Sequence, residues 1–189
     1  MVPVRSTTNK FSSASKAIPV ATPTKTAIRL ATAFGLGYAP VAPGTAGSLG
    51  GVALFALLLY TLERVALDLA FIAVSLCLVA TAMWSTERAL PHWTSQDPSA
   101  VVIDEVLGQF LTYGGPLAVA YAGVATVAPT WKTLLAGLIL FRAFDVLKPY
   151  PIRQSEGVPG AAGVVLDDFL AAVYAALVLG VLSWVGWLR

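Results

Sequence analysis

The chain has 189 residues, 57% of them hydrophobic and only 12% charged, with a mean hydropathy of +0.77. An ordinary soluble domain carries roughly 25% charged residues, so this composition excludes a disordered chain, a coiled coil and a secreted disulfide scaffold. One cysteine, Cys77, and one histidine, His92, exclude an internal disulfide, a thiolate metal site and a multi-histidine centre. The net charge of +2 conceals an asymmetry. Residues 1–29 hold Arg5, Lys10, Lys16, Lys25 and Arg29 and no acid, while the rest of the chain holds seven bases against ten acids. This divides the chain into a basic, Ser/Thr-rich tail over 1–27 and an apolar body over 28–189, and it does not read as a nucleic-acid binder. The tail lacks the apolar stretch of a signal peptide.

Five apolar runs follow in chain order. Residues 46–62 carry no charge, and 65–83 carry only Asp68. Residues 106–128 carry none, and Gly114-Gly115-Pro116 predicts a kink there. Residues 133–147 are interrupted late by Arg142 and Asp145, and 169–188 carry no charge. The expectation is an all-α integral membrane bundle of about five hydrophobic helices. A spanning helix needs about 20 apolar residues; two of the runs fall short and must borrow flanking residues or thin the bilayer. The run 169–188 has no polar stripe, which argues against a soluble helical core. His92 is expected at the interface, and the five tryptophans lie near the run ends, as an aromatic belt would place them.

If the N-terminus is cytoplasmic and all five runs cross, nine bases fall on the cytoplasmic side and three, Arg64, Lys132 and Arg189, on the other. The same threading brings three acid-bearing helix ends to the inner interface. Asp97, Asp104 and Glu105 precede the third run, Asp145 ends the fourth, and Asp167 and Asp168 precede the fifth. Carboxylates favour helix N-termini, which offers a capping role to two of these groups but not to Asp145. Adjacent acids repel, and five carboxylates, Asp104, Glu105, Asp145, Asp167 and Asp168, in an apolar chain need a compensating cation. Hard oxygen donors suit Mg²⁺ or Mn²⁺. Two metals, or one with the remaining acids as supporting groups or a general base, both fit.

Arg142, Asp145 and Lys148 recur at i, i+3 and i+6 and predict one stripe along a helix. Pro149 and Pro151 end that helix, and Arg153 follows in an extended segment. A divalent cation with Arg and Lys suits a phosphate ester; an intramembrane Arg142–Asp145 ion pair is the bland alternative. Residues 42–48, Ala-Pro-Gly-Thr-Ala-Gly-Ser, read either as an anion cradle at a helix N-terminus or as a helix start capped by Thr45 or Ser48. The glycines between 157 and 163 predict a flexible loop leading to Asp167-Asp168.

Four segments in order then carry a resemblance. They are Phe34-Gly35-Leu36-Gly37 through Ser48, Val101-Val102-Ile103-Asp104-Glu105, Phe141-Arg142-Ala143-Phe144-Asp145 through Arg153, and Gly163 through Asp167-Asp168. Together they resemble the bacterial phosphatidylglycerophosphatase A family over about residues 28–188. The resemblance implies an all-helical enzyme of the bacterial inner membrane that removes the terminal phosphate of phosphatidylglycerophosphate in a Mg²⁺-dependent reaction. It also implies that Asp104, Glu105, Asp145, Asp167 and Asp168 are the acidic site positions, and Arg142, Lys148, Arg153, Thr45 and Ser48 the phosphate-side ones. A lipid that is half apolar and half phosphate matches a site at headgroup depth. The alternative is a transporter or channel whose intramembrane carboxylates pass a cation.

Overall fold

The computed structural model describes residues 24–95, 97–123, 130–155 and 157–188. Most of the tail, with Arg5, Lys10 and Lys16, lies outside the described residues, as do 124–129 and Arg189. Every regular element among the described residues is a helix.

Local chemistry sets the helix starts. Helix α1, Lys25–Ala31, begins where the Thr24 side chain accepts the Ala27 N–H at 3.1 Å. Helix α2, Pro43–Thr61, has proline in its first turn, where no N–H is missed. Helix α3, Arg64–Ala89, is 26 residues long. The third apolar run is divided at Tyr113 into α4, Ile103–Thr112, and α5, Gly114–Tyr121. Helix α6, Trp131–Leu147, is capped by Thr130, α7 is the single turn Ile152–Ser155, and α8 runs Ala161–Trp184.

Among the described residues three stretches, Pro43–Thr61, Arg64–His92 and Ala161–Trp184, are long and apolar enough to cross a membrane. Helix α6, at 17 residues, spans about 25 Å. On α3 the outward residues Val65, Leu69, Ile72 and Leu76 are all more than half exposed. Their spacing puts them on one face. A soluble helix would place polar residues there, so this face suits hydrocarbon.

Helix α4 is the axis of the bundle, buried along nearly its whole length. Helices α2 and α8 pack against it most extensively, with α3 and α6 beside them. Below its midpoint an aromatic layer locks four helices together. Phe55 stacks on Tyr113 at 4.3 Å between centroids, and Phe71 stacks on Phe110 at 4.9 Å. The Tyr113 hydroxyl donates to the Leu134 carbonyl at 2.9 Å, which ties in α6 and satisfies a buried polar group. The chain breaks between α4 and α5 where Gly115 meets the Ala176 backbone of α8, an approach that leaves no room for a Cβ.

Above that layer, the start of α2, the end of α3, the start of α4, the end of α6 and the first turns of α8 converge at one end of the bundle.

Candidate active site

Asp104 and Glu105 occupy the first turn of α4. Asp145 lies in the last turn of α6. Asp167 and Asp168 lie nearly two turns inside α8, beyond the reach of a capping role. All five line one cavity of about 170 Å³, together with Asp97, Ser99 and Lys148.

At its floor, Asp104, Glu105 and Asp168 each place one carboxylate oxygen so that the three lie within 4.8 Å of one another. Asp104 is 5% and Asp168 4% exposed. Glu105 Oε2 is buried without a hydrogen-bond partner. At the start of α4, ahead of the third apolar run, burial pushes the Asp104 carboxyl well above the usual carboxylate range, and the Glu105 charge pushes it further. Burial also raises Glu105. Such crowding of buried acids is costly unless a cation shares their charge. An all-oxygen donor set with an orphaned buried carboxylate oxygen fits a hard divalent cation.

The bases are committed to the acids around this floor. Arg142 Nη1 lies 2.6 Å from Asp145 Oδ2, one turn apart on α6. Lys148 Nζ lies 2.7 Å from Asp167 Oδ2. The expected stripe of three holds for Arg142 and Asp145 only. Lys148 sits past the end of α6 with φ of 43°, and this left-handed turn swings its side chain across to α8.

Arg153 is not extended, as its neighbouring prolines suggested, but lies in α7, because Ile152 is fully buried and pins that turn to the core. Arg153 is exposed and does not line the carboxylate cavity. Residues 43–48 form the opening turns of α2 behind Ala42, a helix start, but no side chain caps it. Ser48 is buried and donates to the Gly44 carbonyl at 2.9 Å, while Thr45 is half-buried. This turn reaches the site through Gly44, where an added Cβ would lie 2.5 Å from Glu105 Oε1. The loop expected over 157–163 ends at Gly160, with α8 already begun at Ala161.

Two contributions go beyond the five expected carboxylates. Asp97, grouped with the acids at the third run's entry, and Ser99 line the cavity from the segment before α4. Glu87, near the end of α3, accepts the Ala161 N–H through Oε2 at 3.1 Å and so anchors the start of the helix that carries Asp167 and Asp168. Its signal was available: a carboxylate in the last turn of a helix is disfavoured by the dipole, the argument already applied to Asp145.

A family model described as phosphatidylglycerophosphatase A matches residues 29–183. The chain belongs to the phosphatidylglycerophosphatase A family. A phosphatidylglycerophosphatase A of Haemophilus influenzae is 36% identical over 79% of this chain and 84% of its own length. One of Escherichia coli is 28% identical over 83% of this chain and 81% of its own length. A Bacteroides thetaiotaomicron protein named "Putative phosphatidylinositol-3-phosphatase" is 33% identical over 84% of this chain and 94% of its own length. No solved structure matches the chain. Membership of the phosphatidylglycerophosphatase A family makes the chain a phosphatase rather than a transporter. The family match contains every acid of the cavity.

Proposed function

We infer that this protein removes the terminal phosphate of phosphatidylglycerophosphate at the cytoplasmic face of the bacterial inner membrane, with Mg²⁺ bound by Asp104, Glu105 and Asp168. The observation that carries the reading is the meeting of those three buried carboxylates beside two acid–base pairs, in a chain of this family. The five apolar runs crossing the bilayer, with the N-terminus inside, put that cavity at inner-leaflet headgroup depth, supported by the bias of nine bases against three.

When bound, Mg²⁺ supplies positive charge that offsets the phosphate oxygens and the acids around them. Arg142 and Lys148 donate to non-bridging oxygens; Lys148 lines the cavity itself, and Arg142 is held just behind it by Asp145, which does. Asp145 and Asp167, on the cavity wall, orient the attacking water; one carboxylate takes its proton as the water oxygen bonds to phosphorus, and returns that proton to the lipid oxygen as the P–O bond to it breaks. Thr45, Ser48 and the backbone of the first turn of α2 support the site through Gly44 and Glu105. Arg153 stands farther out, where it attracts an anionic headgroup.

The test is phosphate release from phosphatidylglycerophosphate by the purified chain in detergent. EDTA stops the reaction, Mg²⁺ restores it, and Asp104→Asn or Asp168→Asn abolishes it with the fold intact. Full turnover by both variants removes these residues from the mechanism.

A further inference from the structure

Residues 30–62 contain no charged side chain, yet the spanning helix α2 begins only at Pro43. The stretch before it is an uncharged turn with unusual backbone. Ala33 and Phe34 have φ of 45° and 57°, Gly35 of 103°, and Ala42 of 49°. Each left-handed non-glycine residue costs about 1 kcal/mol. The turn nonetheless points its largest apolar groups outward: Phe34 is 83%, Tyr38 59% and Val41 81% exposed. Facing water, that combination is strained and poorly solvated at once.

Two features identify what covers it. Leu36 rests on Gly50 of α2, where an added Cβ would lie 3.1 Å from Leu36 Cδ1. This fixes the turn against the helix whose Leu49, Leu57 and Tyr60 form an outward apolar stripe. The turn therefore continues a hydrocarbon-facing surface. On its other side α1 presents Lys25 and Arg29, both exposed, where lipid phosphates would lie. Cations followed by an uncharged aromatic wedge and then a spanning helix match the layers of a bilayer surface. Three residues beyond Val41, Gly44 touches Glu105, so the wedge borders the carboxylate cavity.

We propose that residues 33–42 form a lipid-contacting lip, in which Phe34, Tyr38 and Val41 enter the bilayer interface and hold the ester region of a phospholipid beside the carboxylates. The substrate-holding half of this inference rests on the phosphatase reading; the bilayer contact does not.

The experiment uses the full chain in phosphatidylethanolamine–phosphatidylglycerol vesicles. Cys77, an exposed free thiol, is first replaced by serine. Nitroxide labels are then placed through Phe34→Cys, Val41→Cys and, as an aqueous reference, Gln154→Cys. Labels at 34 and 41 will meet oxygen freely and be shielded from a water-soluble nickel chelate, unlike the label at 154. Equal chelate access at all three positions overturns the proposal. Exclusion of both reagents at 34 and 41 means that protein, such as a second copy, covers the lip, and overturns it equally. In a second arm, Phe34→Ser with Val41→Ser raises KM for the long-chain lipid phosphate by about a hundredfold, tenfold for each of the two apolar side chains lost. The KM for a water-soluble phosphate monoester that carries no acyl ester stays level. An unchanged long-chain KM overturns the substrate-holding half. If the parent chain releases phosphate from neither substrate, the phosphatase reading fails, and the labels still decide the bilayer contact.

Discussion

Gly44 and Glu105 are in contact across the α2–α4 seam: a Cβ on Gly44 would stand 2.5 Å from Glu105 Oε1 and 3.1 Å from Arg142 Nη1. Both neighbours are the far ends of flexible side chains, so they give way rather than the backbone, and Glu105 leaves its place in the cavity floor. Alanine is favoured over glycine within a helix by about 1 kcal/mol, so Gly44→Ala leaves the thermal stability of α2 unharmed or raised. It displaces the carboxylate, and a misplacement of this size costs on the order of a hundredfold in kcat/KM. A thermal melt beside a phosphate-release assay checks that the two quantities move apart.

The Lys148–Asp167 pair is mostly shielded from water, with side chains 21% and 12% exposed. Removing one partner strands the other among like or unlike charges, whereas removing both does not. Lys148→Ala therefore destabilises the protein more than the double variant Lys148→Ala with Asp167→Asn. The coupling energy across the cycle is about 1–3 kcal/mol. Chemical denaturation of the four proteins in one detergent measures it, and additive effects would show that the pair contributes nothing.

Much of this site is legible in the sequence because its acids lie at or near the ends of apolar runs. Asp104-Glu105, Asp145 and Asp167-Asp168 flank three runs, and those three helices pack side by side in the fold. The break at Gly114-Gly115 is legible too, since adjacent glycines mark a close backbone approach. What fails is any boundary that tertiary contact decides. A search for uncharged residues starts the last helix at 169, but α8 begins at Ala161, because Lys148 and the bundle interior accept Asp167 and Asp168 on the helix face. Arg153 is helical because Ile152 is buried, which no local pattern announces. Glu87 meets Ala161 across 74 positions of sequence, so its role exists only in the folded chain.

Glu87 holds the start of α8 and touches none of the reacting groups described above. Glu87→Ala removes the acceptor for the Ala161 N–H and costs about 1 kcal/mol, as loss of a helix cap does. Glu87→Gln keeps a carbonyl acceptor and recovers most of it. Because α8 carries Asp168, the alanine variant also weakens divalent-cation binding, read as a higher Mg²⁺ concentration for half-maximal activity. Rescue of both stability and Mg²⁺ response by glutamine distinguishes positioning from a direct role of the Glu87 charge.

The three carboxylates at the cavity floor give a prediction that needs no substrate. Asp104, Glu105 and Asp168 offer oxygens within 4.8 Å of one another and repel while ionised. A cation that binds the folded chain but not the unfolded one stabilises it by mass action, about 2.7 kcal/mol at a hundred times the dissociation constant. Millimolar Mg²⁺ is therefore expected to raise the melting temperature of the parent protein. Asp168→Asn removes one of the repelling charges, so the variant melts higher than the parent in EDTA yet gains less from added Mg²⁺. The two effects have opposite signs and come from one substitution. A variant that melts lower than the parent in EDTA would show that Asp168 is not crowded by its neighbours, and one that responds fully to Mg²⁺ would show that it is not a ligand.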